Sequence, residues 1–240
     1  MSLHENIVDT IAARCVESAL TWPWIREKMT PGKAQAFMLQ HAIRNRLLSS
    51  KFRPAWMSRC DDPVVVRKTI GQMLEELVYD DQIKAPHTKI LHEMGEYVGL
   101  TKQQMIDSQP TPKVDLYFNV LETLCRNRHW IVGWLSTSVD EFVLVAIKEQ
   151  TNISADKWQA DLGLTDEELF FFRYHEQADL EHAGKKVWEP INKHVRDDAI
   201  AADVLAGLET SLNAAKLFYE GVSELGEQLD AQGAKLRRVA

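Results

Sequence analysis

Apolar residues recur at helical spacing along almost the whole chain, and no segment shows strand-like alternation between turn signals. Only 11 glycines and 8 prolines interrupt the 240 residues. This pattern predicts helices at roughly 3–28, 31–50, 62–80, 86–98, 111–150, 165–192 and 198–236. No repeat or linker is evident, so the predicted fold class is all-α, a single bundle of about seven to eight helices that forms one domain over 1–240.

Local signals refine these boundaries. Thr101 with Gln104, and Thr165 with Glu168, have the spacing of a capping box, so each pair is expected to open a helix. The 111–150 stretch is long for one helix, and a break is expected near Arg126–His129.

Composition excludes several classes of function. The net charge of −7 argues against a general nucleic-acid or anionic-membrane partner, because both require a basic face. The most apolar stretch, Phe142 to Ile147, is too short to span a bilayer, and the N-terminus lacks the pattern of a signal peptide. The three cysteines are widely separated and fit neither a disulfide framework nor a zinc motif, so a cytoplasmic protein is expected.

One short motif suggests metal chemistry. His175, Asp179 and His182 are spaced i, i+4 and i+7, which places them within about 60° of one another on a helix. Two imidazoles and a carboxylate on one stripe suit Fe(II), Mn(II) or Zn(II). The alternative is a polar helix face with solvated histidines, and the motif alone does not decide between them.

Two other segments supply candidate ligands. Glu141 lies at the edge of an apolar helical run, where an unpartnered carboxylate would be costly, although it could also face water or pair with an arginine. Glu76 lies at the apolar boundary of its helix, and Asp80, four residues later, is a rival ligand within the same acidic patch. Pro86 is expected to end that helix near residue 81 and to start the next one with His87 in its first turn.

The motif spacing separates related metalloprotein classes. A ferritin-like diiron bundle needs two Glu-x-x-His motifs, whereas here only His182 has an acidic residue, Asp179, three positions before it. A His-Glu-x-x-His zinc helix and a Gly-rich phosphate loop are also missing.

The spacing resembles that of the haem-oxygenase-like diiron oxidases, whose fold is shared with thiaminase II and pyrroloquinoline-quinone synthase. In that family a Glu, a His, a central Glu and a terminal His-x-x-x-Asp-x-x-His hold two iron ions. The resemblance implies that the metal ligands here are Glu76, His87, Glu141, His175, Asp179 and His182. It also favours Glu76 over Asp80 and implies that Glu141 is a catalytic, bridging carboxylate.

Within the family, the nearest resemblance is to chlamydial protein associating with death domains, a 4-aminobenzoate synthase. The matching segments include Ser58 to Asp62 followed by Glu75-Glu76, and His175-Glu176. That synthase is thought to consume its own tyrosine, but the corresponding region here, 21–25, contains none. The resemblance therefore implies that O2 is used to oxidise or cleave a separate small molecule in a biosynthetic pathway.

The substrate is expected to carry a carboxylate and to derive from an amino acid. Arg44, Arg46 and His41 lie on a segment without acids and could bind such a group, although a solvated basic face is an equally good interpretation. An external electron donor and a homodimer are compatible with the pattern. Two other classes stay open: a metal-independent enzyme of the thiaminase or quinone-synthase kind, and an interaction protein with a vestigial metal site.

Overall fold

The computed structural model describes residues 2–147, 155–183 and 188–237, with the backbone alone described at Val145 and over 177–183. Its α-helices are α1 (Ile7–Ala19), α2 (Pro23–Arg26), α3 (Pro31–Leu47), α4 (Arg53–Met57), α5 (Pro63–Leu77), α6 (His87–Tyr97), α7 (Lys102–Asp107), α8 (Pro112–Asn127), α9 (Trp130–Thr137), α10 (Val139–Ile147), α11 (Ala155–Leu162), α12 (Phe170–Ala183), α13 (Glu189–His194) and α14 (Asp198–Ala231). A 3₁₀ turn, His4–Asn6, precedes α1, and a π-helical turn, Leu48–Phe52, joins α3 to α4.

The all-α prediction is confirmed, because the described residues contain no strand beyond an isolated bridge between Asp80 and Ala85. The expectation of seven to eight helices is wrong, because several predicted helices are broken into shorter ones. Pro23 begins α2 and so interrupts the predicted 3–28 helix. None of the described helices is both long and apolar enough to cross a membrane.

Several breaks fall where local signals predicted them. Helix α8 ends at Asn127 and α9 begins at Trp130, which confirms the break expected near Arg126–His129. Thr101 and Gln104 form the expected capping box at the start of α7. Thr165 and Glu168 exchange the same two bonds, but in a turn that precedes α12 rather than at its first residue.

Helix α14, with 34 residues, forms the centre of the bundle and packs against α3, α8, α1 and α9. Its inner face is mainly apolar, with Leu208, Leu212 and Phe218 almost completely buried. Near its C-terminal end, Gly226 lies so close to Lys33 of α3 that a Cβ there would be 2.6 Å from the Lys33 Cα. This close approach fixes α3, which lines the central cavity.

Helix α5 is much less buried than α14. Only Val65 and Thr69 of this helix are buried, while Ile70 and Leu74 are exposed. Its N-terminus is tied to α13 by Asp62, and its last turn carries Glu76 towards the cavity.

Candidate metal centre

Three side chains from separate helices converge in the wall of a central cavity. Glu76 is in the last turn of α5, His87 is the first residue of α6, and His175 is in α12. One ligand atom from each lies within 4.8 Å of the others. Glu76 Oε1 is 3.3 Å from His87 Nδ1 and 3.9 Å from His175 Nε2. The structure therefore brings together three residues that the sequence analysis proposed as ligands.

The donor atoms of this cluster fit a divalent ion. Glu76 Oε2 and His87 Nδ1 are buried, and neither makes a hydrogen bond within the described part of the chain. Buried polar atoms are rarely left unsatisfied, and a metal ion bound between them would satisfy both. Two imidazoles and one carboxylate form a donor set that suits Fe(II).

The charge state of Glu76 is also the one that a metal ligand requires. Burial alone would raise the pKa of its carboxyl, but the neighbouring imidazoles of His175 and His87 hold this pKa well below its usual range. The carboxylate is therefore ionised at neutral pH, as a metal ligand must be.

Asp80 lies on the opposite side of His87 from Glu76. Its Oδ2 is 2.8 Å from His87 Nε2 and accepts a 2.5 Å hydrogen bond from the Tyr174 hydroxyl. Burial lowers the pKa of His87, but the carboxylates of Glu76 and Asp80 outweigh it and raise this pKa to about 8. Asp80 therefore holds the ring of His87 so that Nδ1 points at the cluster, which is how carboxylates commonly orient metal-binding histidines.

Glu141 lines the same cavity but lies outside the three-residue cluster. Its Oε1 is 3.6 Å from Arg53 Nη2. The side chains of Asp179 and His182 lie outside the described residues, so their role as ligands stays a prediction.

The candidate substrate-binding residues have different positions. His41 lines the cavity, stacks on Phe37, and has its pKa lowered well below the usual value, first by burial and then by the charge of Arg44. Arg44 also lines the cavity, but its guanidinium pairs with Asp140 and donates a 3.0 Å hydrogen bond to the Tyr117 hydroxyl. Arg46 is exposed and does not line the cavity, so its position gives no support to a role in substrate binding.

The cavity has a volume of about 170 Å³ and two kinds of wall. Its polar lining residues include the three clustered residues together with Glu141 and Arg53. Its apolar lining residues are largely aromatic and include Trp22, Trp24, Phe37, Leu48, Phe171 and Phe172. A cavity that combines apolar walls with polar side chains is typical of sites for small organic molecules.

Sequence reasoning missed three residues of this site. Tyr174 was not singled out, although it adjoins His175, and Asn45 was not considered as a cavity residue. Arg53 was not singled out either. The available signal was Pro54, which disturbs the helix just where Arg53 enters the cavity.

Comparisons with solved structures show the fold. A domain of unknown function with a haem-oxygenase-like fold from Shewanella denitrificans superimposes with a TM-score of 0.72 at 18% identity, covering 97% of this chain and 96% of that one. A TenA homologue from Pseudomonas syringae pv. tomato gives a TM-score of 0.63 at 10% identity, covering 92% and 91%. A CADD-like protein of unknown function from Nostoc punctiforme gives 0.60 at 13% identity, covering 96% and 99%.

Sequence comparison identifies the family. No curated protein sequence matches the chain. The family model described as iron-containing redox enzymes matches residues 43–216, which include α5, α6 and α12 with the three clustered residues. The chain therefore belongs to the haem-oxygenase-like family of iron-containing redox enzymes.

Proposed function

We propose that this protein is a non-haem diiron oxidase or oxygenase that uses O2 to oxidise or cleave a small, carboxylate-bearing metabolite. The observation that carries the proposal is the cluster of Glu76, His87 and His175 in the cavity wall, in which Glu76 Oε2 and His87 Nδ1 are buried without a hydrogen-bond partner in the described part of the chain. The proposed ligands of the two ions are Glu76, His87, Glu141, His175, Asp179 and His182.

Two Fe(II) ions bound there would supply the electrons that reduce O2, with an external donor restoring them between turnovers. The residues of this chain would set the geometry. Asp80 holds His87 in one orientation, and Glu76 stays ionised beside it. The aromatic walls exclude water from the substrate and limit what can enter.

The cysteines argue against a metal-independent enzyme that uses a thiolate nucleophile. None of the three lines the cavity. Burial raises the pKa of both Cys15 and Cys125 to about 12, so neither thiol is ionised at neutral pH.

The test is metal loading under anaerobic conditions followed by exposure to O2. We expect wild-type protein to bind two Fe(II) ions per chain and then to consume O2 faster than free Fe(II) does. Glu76→Ala and His175→Ala should each bind fewer than two ions and lose O2 consumption, because each removes a ligand.

His92→Ala is the matched control, since His92 lies on the same helix as His87 but does not line the cavity. It should bind two ions like the wild type. At most one ion in the wild type, or two ions in both ligand variants, would contradict the proposal. Iron-free wild type would instead favour the interaction protein or the metal-independent enzyme.

A further inference from the structure

Two buried arginines line the cavity, and they differ in how closely a carboxylate pairs with each. Arg44 is paired with the Asp140 carboxylate, which also accepts a hydrogen bond from Tyr219. Arg53 is 5% exposed, donates a 3.3 Å hydrogen bond to the Ser49 hydroxyl, and lies 3.6 Å from Glu141. Arg53 and Glu141 therefore form an ion pair, but at 3.6 Å this pair is too long for a hydrogen bond, so Arg53 is held less closely by its carboxylate than Arg44 is.

A π-helical turn is what brings Arg53 to the cavity. The cavity-lining residues before the turn follow helical spacing, at Phe37, His41, Arg44 and Leu48. The next one is Arg53, five residues after Leu48, and its backbone N–H bonds to the Leu48 carbonyl.

Pro54 provides the reason for this turn. Proline cannot donate to the carbonyl four residues earlier and clashes with it in an α-helix, so the backbone widens just before it. A regular helix would place Phe52 on the cavity face, whereas here Phe52 is 1% exposed and packs against Phe118. Single π turns of this kind are frequent at functional sites.

Asn45 supplies a second unsatisfied donor at the same cavity. Its side chain is 6% exposed, and its Nδ2 has no hydrogen-bond partner in the described part of the chain. Leaving a buried amide nitrogen unpaired costs about 1–3 kcal/mol, so a ligand that accepts from it would gain that amount.

We propose that Arg53 and Asn45 form the subsite that binds the carboxylate of the substrate, in place of Arg44, Arg46 and His41, which the sequence suggested. A carboxylate matches both residues, because it accepts hydrogen bonds from a guanidinium and an amide, whereas Glu141 at 3.6 Å accepts none from Arg53. The inference rests on the proposed function in one respect. If iron binds Glu141, the carboxylate now nearest to Arg53 is engaged by the metal, and the guanidinium of Arg53 is available to the carboxylate of the substrate.

The rest of the cavity defines the rest of the ligand. The apolar lining includes Trp24, Phe37 and Phe172, whose rings contact one another. An apolar, preferably aromatic, body would fit these walls while its acid group binds Arg53 and Asn45. The substrate class is therefore a small amphipathic carboxylic acid.

The experiment compares two probes with the same apolar body, 3-phenylpropanoate and the uncharged 3-phenylpropanamide. Their binding is measured by calorimetry on metal-free protein and on anaerobic Fe(II)-loaded protein. The wild type should bind the acid more tightly than the amide. Arg53→Gln should weaken binding of the acid about 10- to 100-fold and leave binding of the amide unchanged. Asn45→Ala should weaken binding of the acid about 3- to 10-fold.

Two further variants keep the test decisive. Arg53→Lys preserves the charge and should bind the acid with intermediate affinity, even if Arg53→Gln does not fold. Lys51 lies two residues before Arg53 and is an exposed cation that pairs with Glu122. Lys51→Gln should therefore bind both probes like the wild type.

The inference is overturned if the wild type does not prefer the acid, if Arg53→Gln weakens both probes equally, or if Lys51→Gln has the same effect as Arg53→Gln. Failure of iron binding with an Arg53-dependent preference for the acid would refute the proposed function and leave the carboxylate subsite standing. Two bound ions without that preference would support the proposed function and refute the carboxylate subsite.

Discussion

Asp80 contacts one residue of the candidate metal cluster without being one of its three members. Its carboxylate contacts His87 Nε2, while Glu76 faces Nδ1 of the same ring. The sequence left both carboxylates open as ligands because a helix to residue 80 would place them one turn apart on the same face. Helix α5 instead ends at Leu77, so Asp80 lies beyond the helix and approaches His87 from the other side.

This arrangement predicts different effects for the two carboxylates. Asp80→Ala should leave the number of bound Fe(II) ions unchanged at saturation but weaken one of them about 10- to 100-fold, because His87 loses its orientation. Glu76→Ala should lose that ion altogether. Competition with a chelator of known affinity under anaerobic conditions measures both effects.

Asp81→Ala is the control, because the Asp81 side chain is 93% exposed and lies next to Asp80 in the chain. It should bind iron like the wild type. An Asp80→Ala protein that cannot bind the second ion, together with a Glu76→Ala protein that can, would make Asp80 the ligand.

At the scale of helices, the sequence predicted the boundaries that local chemistry determines. The break before His87 follows from Pro86, and the break near residue 128 was also expected. The π turn before Pro54 was not predicted, because the choice among breaking, kinking and widening a helix depends on how the flanking helices pack. The helix predicted at 31–50 therefore missed the feature that brings Arg53 into the site.

Asp62 anchors α5, a site-bearing helix in which only Val65 and Thr69 are buried. It caps α5 by accepting a hydrogen bond from the Val64 N–H, and it also contacts Lys193 and His194 of α13 at 2.7 and 2.8 Å. The hydrogen bonds from Lys193 and His194 hold the pKa of this carboxyl well below its usual range. A lowered pKa stabilises the fold fully above the unfolded-state pKa of about 3.9, and the contribution is lost as pH falls further.

We therefore expect Asp62→Ala to lower the free energy of unfolding by about 2 kcal/mol at neutral pH, through loss of the cap and the bonds to α13. The deficit should shrink as the pH is lowered from 5 to 2, since the wild type loses the same contribution by protonation. Urea unfolding across this range measures it. Asp61→Ala, which alters an exposed neighbour, should be near neutral. Parallel pH profiles for Asp62→Ala and the wild type would contradict the assignment.

At the scale of the whole molecule, the candidate site depends on contacts between residues far apart in the chain. Glu76, His87 and His175 come from α5, α6 and α12, and periodicity alone gives no information on which helices meet. The family resemblance provided that information for these three residues. It could not provide the proposed carboxylate subsite, because Asn45 and Arg53 line the cavity only through the packing and the π turn of this chain.

The packing of α3 against α14 gives the last prediction, because α3 carries much of the cavity wall. A Cβ on Gly226 would lie 2.5 Å from Lys33 Cγ and 2.6 Å from its Cα, so the two helices would have to separate. Gly226→Ala should therefore lower the free energy of unfolding by about 1–3 kcal/mol.

Gly71, in the middle of α5, has nothing within 4 Å of its Cβ position. Gly71→Ala should raise the free energy of unfolding by about 0.5–1 kcal/mol, because alanine loses less backbone entropy in a helix. Chemical unfolding of both variants measures this difference in sign, and a destabilising Gly71→Ala or a neutral Gly226→Ala would show that the helices are not packed as described.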